Sequence, residues 1–200
     1  MAYIQKRETY LEILKEELPP KRLQHSIGVE QTAEKLARWF GADVEKAQIA
    51  GLLHDIAKNK TVQEMRQAME NVNKKPDANI EQNKSLLHGP AGAAILEAQY
   101  GITDREILSA VEYHTTGKPD MSQLEKIIYL ADMIEPNRDF PGIERLRDSA
   151  GRNLDEAVLE AMAQAISFVV EEKKWLHPIS VAAYNDLLKK RRSVDAGADE

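Results

Sequence analysis

Apolar residues recur along nearly the whole chain at intervals of three and four rather than two, the spacing that gathers them on one stripe of an α-helix. A chain patterned this way buries itself by packing helix on helix, which predicts an all-α fold. Ile4, Leu11, Leu14 and Leu18 share one face of an N-terminal helix within 1–18, closed by Pro19 and Pro20 because an interior proline loses a hydrogen bond and clashes. A second helix is expected from about Lys21 to Phe40, with Gly41 as its left-handed stop and Asp43 capping a third helix through AQIAGLLHDIA. Thr61 with Glu64, Thr103 with Glu106 and Ser122 with Glu125 each fit the capping box at a helix start. Pro90 suits the first position of a helix that Gly101 ends, Asn153 opens a long apolar helix toward Val170, and a last helix is expected from Ser180. The polar stretch 71–84 reads as a surface loop and 193–200 as a disordered, frayed tail. Two hundred residues, 42% of them apolar, with no long linker predict a single domain over 1–192.

The same helical spacing exposes an anomaly. His25 shares a face with Val29 and Leu36, His54 follows Ala50 and Ala47 by one and two turns, His114 follows Ile107 and Val111, and Asp132 follows Leu124 and Ile128. Four helices thus aim titratable groups at the core. A buried ionised carboxylate costs several kcal/mol unless it is paired or bound to a cation, so Asp55 and Asp132 need partners. The chain has no cysteine, which removes disulfides, thiolate nucleophiles and sulfur-held metals and leaves imidazole and carboxylate, the donors for zinc, manganese and non-haem iron. One histidine on an apolar face is more often a hydrogen-bonded core residue, and Asp132 can pair with Arg138, so the metal reading rests on the set rather than on any single member. If Asp55 used both oxygens it would bridge two ions.

The order His25, then His54-Asp55 after an apolar helix, then Asp132 resembles the HD-domain metal-dependent phosphohydrolases. With LLHGPAGA at His88, EYHTTG at His114, YLADMIEPNRDFPG around Asp132 and LHP at His177, most of the chain is similar to one bacterial branch, the YqeK-type symmetrical bis(5'-nucleosyl)-tetraphosphatases. The resemblance implies an HD-domain helical bundle with its metal-site core over about 19–150 and C-terminal helices over about 153–192. It implies that His25, His54, Asp55 and Asp132 hold one metal and that Asp55 is shared with a second, held by His88 and His114. Iron is the metal it suggests, with manganese and zinc open.

The activity so implied is symmetrical hydrolysis of diadenosine tetraphosphate to two ADP, through a hydroxide bridging the metals that attacks an inner phosphorus. Asp55 and Lys58 are then the expected catalytic residues, although a lysine at a helix C-terminus also complements the helix dipole. His88, His114, Thr115, Thr116, Asp132 and Arg138 are expected at the substrate, with Arg138 gripping phosphate. Trp175, Leu176, His177 and Pro178 offer a wall for adenine, against the plainer readings of packing for Trp175 and a surface loop for His177. The rivals are another HD-type phosphohydrolase acting on a nucleoside tri- or monophosphate or a cyclic dinucleotide, a non-catalytic nucleotide sensor, and a helical interaction protein with core histidines. A net charge of -6 gives no field for a nucleic-acid polymer. No apolar run approaches the roughly 20 residues that span a bilayer and no secretory leader is evident, so a cytoplasmic location is expected. A homodimer is expected only from how common that state is.

Overall fold

The helical pattern folds into ten α-helices among the residues described by the computed structural model, 3–81 and 83–197 for the backbone and 6–81 and 83–191 for the side chains. They are α1 (Tyr3–Glu17), α2 (Pro20–Phe40), α3 (Val44–Leu53), α4 (Val62–Glu70), α5 (Lys84–Tyr100), α6 (Arg105–Tyr113), α7 (Gln123–Ile134), α8 (Ile143–Ala150), α9 (Leu154–Glu171) and α10 (Pro178–Gly197). None of them is long and apolar enough to cross a membrane. Leu14 and Leu18 are buried, while the side chain of Ile4 lies outside the described residues.

Most helix ends fall where the sequence supplies a partner for the free backbone groups. Gly41 ends α2 in the left-handed region at φ 70°, Asp43 accepts from the Lys46 amide, and Asn153 accepts from the amides of Asp155 and Glu156. Thr61 with Glu64 and Ser122 with Glu125 form both halves of a capping box. The start of α6 differs from expectation. Asp104 rather than Thr103 is the cap, taking the amides of Glu106 and Ile107 at 2.9 and 3.3 Å, and the Glu106 side chain turns away to Lys46. A carboxylate one residue later is the stronger acceptor, so it wins the position.

Three boundaries also move. Helix α3 stops at Leu53, which leaves His54 and Asp55 in the turn beyond it rather than on a helical face. Helix α5 starts at Lys84 under an Asn83 cap and runs through Pro90. The missing amide there costs roughly 3 kcal/mol, but nine residues from Leu87 to Leu96 are buried around it and hold the helix together. Helix α10 starts two residues early, at Pro178, and its backbone continues to Gly197, past the point where a tail was expected; residues 198–200 lie outside the described set. Helix α8, where Ile143, Leu146 and Ala150 are the buried positions, was not anticipated.

Helix α2 packs on α3 and α7, α3 also on α6 and α7, and α5 lies against α6, while α8, α9 and α10 form a second tier joined through α7. The first group carries the titratable residues. Gly89 allows α5 to close on α6, since a Cβ there would lie 2.6 Å from the Glu112 carbonyl oxygen. Removing the α6 cap with Asp104→Ala is expected to lower stability by about 1 kcal/mol, whereas Thr103→Ala should stay within about 0.5 kcal/mol of the parent; urea unfolding midpoints measure both.

Candidate metal centre

The last turn of a helix leaves carbonyl oxygens without intrahelical donors, and two histidines use them. His54, immediately after α3, places Nδ1 2.7 Å from the Gly51 carbonyl, and His114, immediately after α6, places Nδ1 2.7 Å from the Val111 carbonyl. A carbonyl only accepts, so in each ring Nδ1 carries the proton and Nε2 presents its lone pair inward. His25 reaches the same state differently. Its Nδ1 lies 3.0 Å from Glu135 Oε1, and that buried carboxylate fits because residue 28 is glycine: a Cβ there would lie 2.5 Å from Glu135 Oε2.

These lone pairs converge on Asp55, whose side chain is 2% exposed. Its two oxygens face different partners. Oδ2 lies 3.5 Å from His54 Nε2 and 3.8 Å from His25 Nε2, while Oδ1 lies 3.1 Å from His88 Nε2 and 3.7 Å from His114 Nε2. Asp132 Oδ1 closes the first set at 3.0 Å from His25 Nε2 and 3.8 Å from His54 Nε2. The structure thus brings together all six side chains singled out in the sequence as ligands, in three overlapping groups: His25, His54 and Asp55; Asp55, His88 and His114; and His54, His114 and Asp132.

Burial would push the Asp55 carboxyl up, but the imidazoles of His54, His114 and His88 outweigh it and hold it well below the usual carboxylate range. For Asp132 burial is likewise overcome, by His25, Arg138 and His54. Burial, only partly opposed by Asp55, pulls His88 down to about 4, so this ring is neutral at physiological pH. His25 Nε2, His54 Nε2 and Asp55 Oδ1 are buried without a hydrogen-bond partner. Inward-facing acceptors with no donor are what a cation satisfies, and a donor set of imidazole nitrogen and carboxylate oxygen fits zinc, manganese or iron.

The remaining predicted residues divide into those at this centre and those away from it. Lys58 Nζ sits 3.1 Å from His88 Nε2 and 3.6 Å from Asp55 Oδ1, and Thr115 Oγ1 lies 3.1 Å from His114 Nε2. Arg138 donates from Nε to the Asp132 carbonyl and from Nη2 to Asp132 Oδ1 at 2.8 and 2.6 Å, so the pairing held open in the sequence is present. The Thr116 hydroxyl turns onto the Gly117 carbonyl at 3.0 Å. His177 is buried, with Nδ1 accepting from the Ile179 amide and Nε2 3.7 Å from Asp77, while Trp175 is 56% exposed. Two site residues escaped sequence reasoning. Arg22, whose Nη1 donates to Asp55 Oδ2 at 2.9 Å, stands one turn before His25, a spacing that signals a shared face. Glu135 opens the EPNRDFPG stretch, and nothing local marks it as the partner of a residue 110 positions away.

A helical bundle enclosing a buried histidine and aspartate centre is the class of protein these features define. Residues 22–137 match the HD domain, a span that contains all six ligand-type residues, and the chain belongs to that family. It is 41% identical over 182 residues to a protein of Halalkalibacterium halodurans named bis(5'-nucleosyl)-tetraphosphatase, symmetrical, covering 91% of this chain and 97% of that one. A protein of the same name in Bacillus subtilis is 39% identical over the same coverage. A crystal structure from Clostridium acetobutylicum, described as a predicted HD superfamily hydrolase involved in NAD metabolism, superposes with a TM-score of 0.88 at 40% identity over 92% of this chain and 97% of that one.

His54→Ala and Asp55→Ala are each expected to lose most of the bound metal, read as metal per protein after gel filtration; full retention in both contradicts the ligand assignment. In chelator-treated protein, stability should fall as the pH drops from about 6.5 toward 4, because the unfolded imidazole of His88 takes up a proton there while the folded one does not. His88→Gln should flatten that part of the profile, measured by thermal unfolding across pH.

Proposed function

We propose that this chain is a symmetrical bis(5'-nucleosyl)-tetraphosphatase that hydrolyses diadenosine tetraphosphate to two ADP. The observation that carries the chemistry is the division of Asp55, one oxygen toward His25 and His54 and the other toward His88 and His114, the arrangement of a carboxylate shared between two cations. The substrate comes from relatives of that name, which match nearly end to end. His25, His54, Asp55 and Asp132 on one side and Asp55, His88 and His114 on the other would hold metal ions, iron by family resemblance, whose chemistry when bound would be to acidify water and draw charge from phosphoryl oxygens.

The chain's own groups supply the rest. Lys58, 32% exposed beside Asp55 and His88, offers an ammonium to a phosphate oxygen arriving from solvent, and the Thr115 hydroxyl adds a neutral donor. Asp132 is partly open at 18% exposure and Arg138 at 38%, so their bonded pair puts a cation at the rim where a polyphosphate chain enters. Arg22 orients Asp55 through the oxygen that faces His25 and His54. The adenine wall of Trp175, Leu176, His177 and Pro178 rests on the family resemblance, with the exposed indole of Trp175 as the face a base would stack on.

The test is product analysis by chromatography after anaerobic loading with Fe2+. ADP alone is expected from diadenosine tetraphosphate. ATP with AMP would exclude the symmetrical cut, turnover of another nucleotide in its place would point to a different HD-type phosphohydrolase, and bound metal without turnover of any nucleotide would mark a sensor. Lys58→Met is expected to lower kcat by about 100-fold, the scale of losing one charge-stabilising donor.

A further inference from the structure

Arg147 lies outside the histidine and aspartate cluster, yet its guanidinium spans the segment that supports two of the cluster's members. Nε donates to the Ile134 carbonyl at 3.1 Å, and Nη2 donates to the Glu135 carbonyl at 2.9 Å and the Arg138 carbonyl at 3.1 Å. Those three acceptors enclose the turn after α7. Inside it, Glu135 reaches His25 Nδ1 at 3.0 Å, and Arg138 reaches Asp132 Oδ1 at 2.6 Å. Its anchor is firm, because Ile143, Leu146 and Ala150 bury the inner face of α8. The geometry points to Arg147 as a positioning residue for the metal centre: one planar fork fixes the 134–138 turn, and through it the orientation of His25 and Asp132 together.

The chemistry requires arginine. A guanidinium holds its donors in a fixed plane and can meet three carbonyls spread over five residues, whereas a lysine ammonium is a point donor that cannot span them. Carbonyls at a helix C-terminus have no intrahelical donors, so without Arg147 the Ile134 oxygen loses its partner and the turn its brace. The remaining contact, Nη1 to Glu144 Oε1 at 2.6 Å, points outward to a carboxylate 79% exposed and takes no part in the brace.

This inference rests on the metal-binding reading of the cluster, and one experiment separates the two. Fe2+ affinity is measured anaerobically by chelator competition on the intact protein, alongside thermal unfolding of the chelator-treated form, for the parent, Arg147→Met, Arg147→Lys and Glu144→Gln. Arg147→Met is expected to weaken binding by about 10- to 100-fold, the range for losing a group that orients a ligand, with Arg147→Lys intermediate and Glu144→Gln unchanged. Should Arg147→Met fail to fold, Arg147→Lys carries the comparison. Unchanged affinity in the folded Arg147 variants overturns the inference, including the case in which only their unfolding temperature falls. A parent protein that holds no Fe2+ brings down the metal reading itself and this inference with it.

Discussion

The structure turns on one side chain that is costly where it stands. Asp55 is an ionised carboxylate in the interior, surrounded by imidazoles that turn acceptor nitrogens toward it. Desolvation opposes that arrangement. Arg22 and Lys58 supply positive charge at either oxygen, and the inward acceptors that remain define the space for cations. Helix placement follows from this need, because the six residues come from five different helices or the turns just after them.

The supporting architecture uses helix ends more than helix faces. His54 and His114 occupy equivalent places, each just past a helix and each bonded to a carbonyl three residues back. Close approach does the rest, with Gly89 bringing α5 against α6 and Gly28 making room for Glu135. The two glycines act at opposite sides of the centre, one beside His88 and one beside His25.

Much of this was legible in the sequence because it is local. The helical period, the Gly41 stop, the Asp43 and Asn153 caps and the two intact capping boxes depend on neighbours within a few positions, and so did the inward register of His25 and Asp132. Features that failed to show depend on distance. The end of α3 at Leu53 follows from how His54 and Asp55 are drawn into the centre, and Pro90 is carried inside α5 by packing that no short window contains. Glu135, Arg22 and Arg147 are ordinary charged residues along the chain. They become specific only when the fold sets them against His25, Asp55 and the 134–138 turn.

The way the imidazoles are tied makes the two halves of the centre chemically unequal. His54 and His114 lean on backbone carbonyls, partners that no side-chain substitution can replace, whereas His25 alone leans on a carboxylate. An anionic partner makes an imidazole more basic and a stronger electron donor than a carbonyl does. The half containing His25 is therefore the more electron-rich, and two identical ions placed there would differ in Lewis acidity although one aspartate joins them. Glu135 sets that asymmetry from behind His25, through the ring nitrogen that faces away from Asp55.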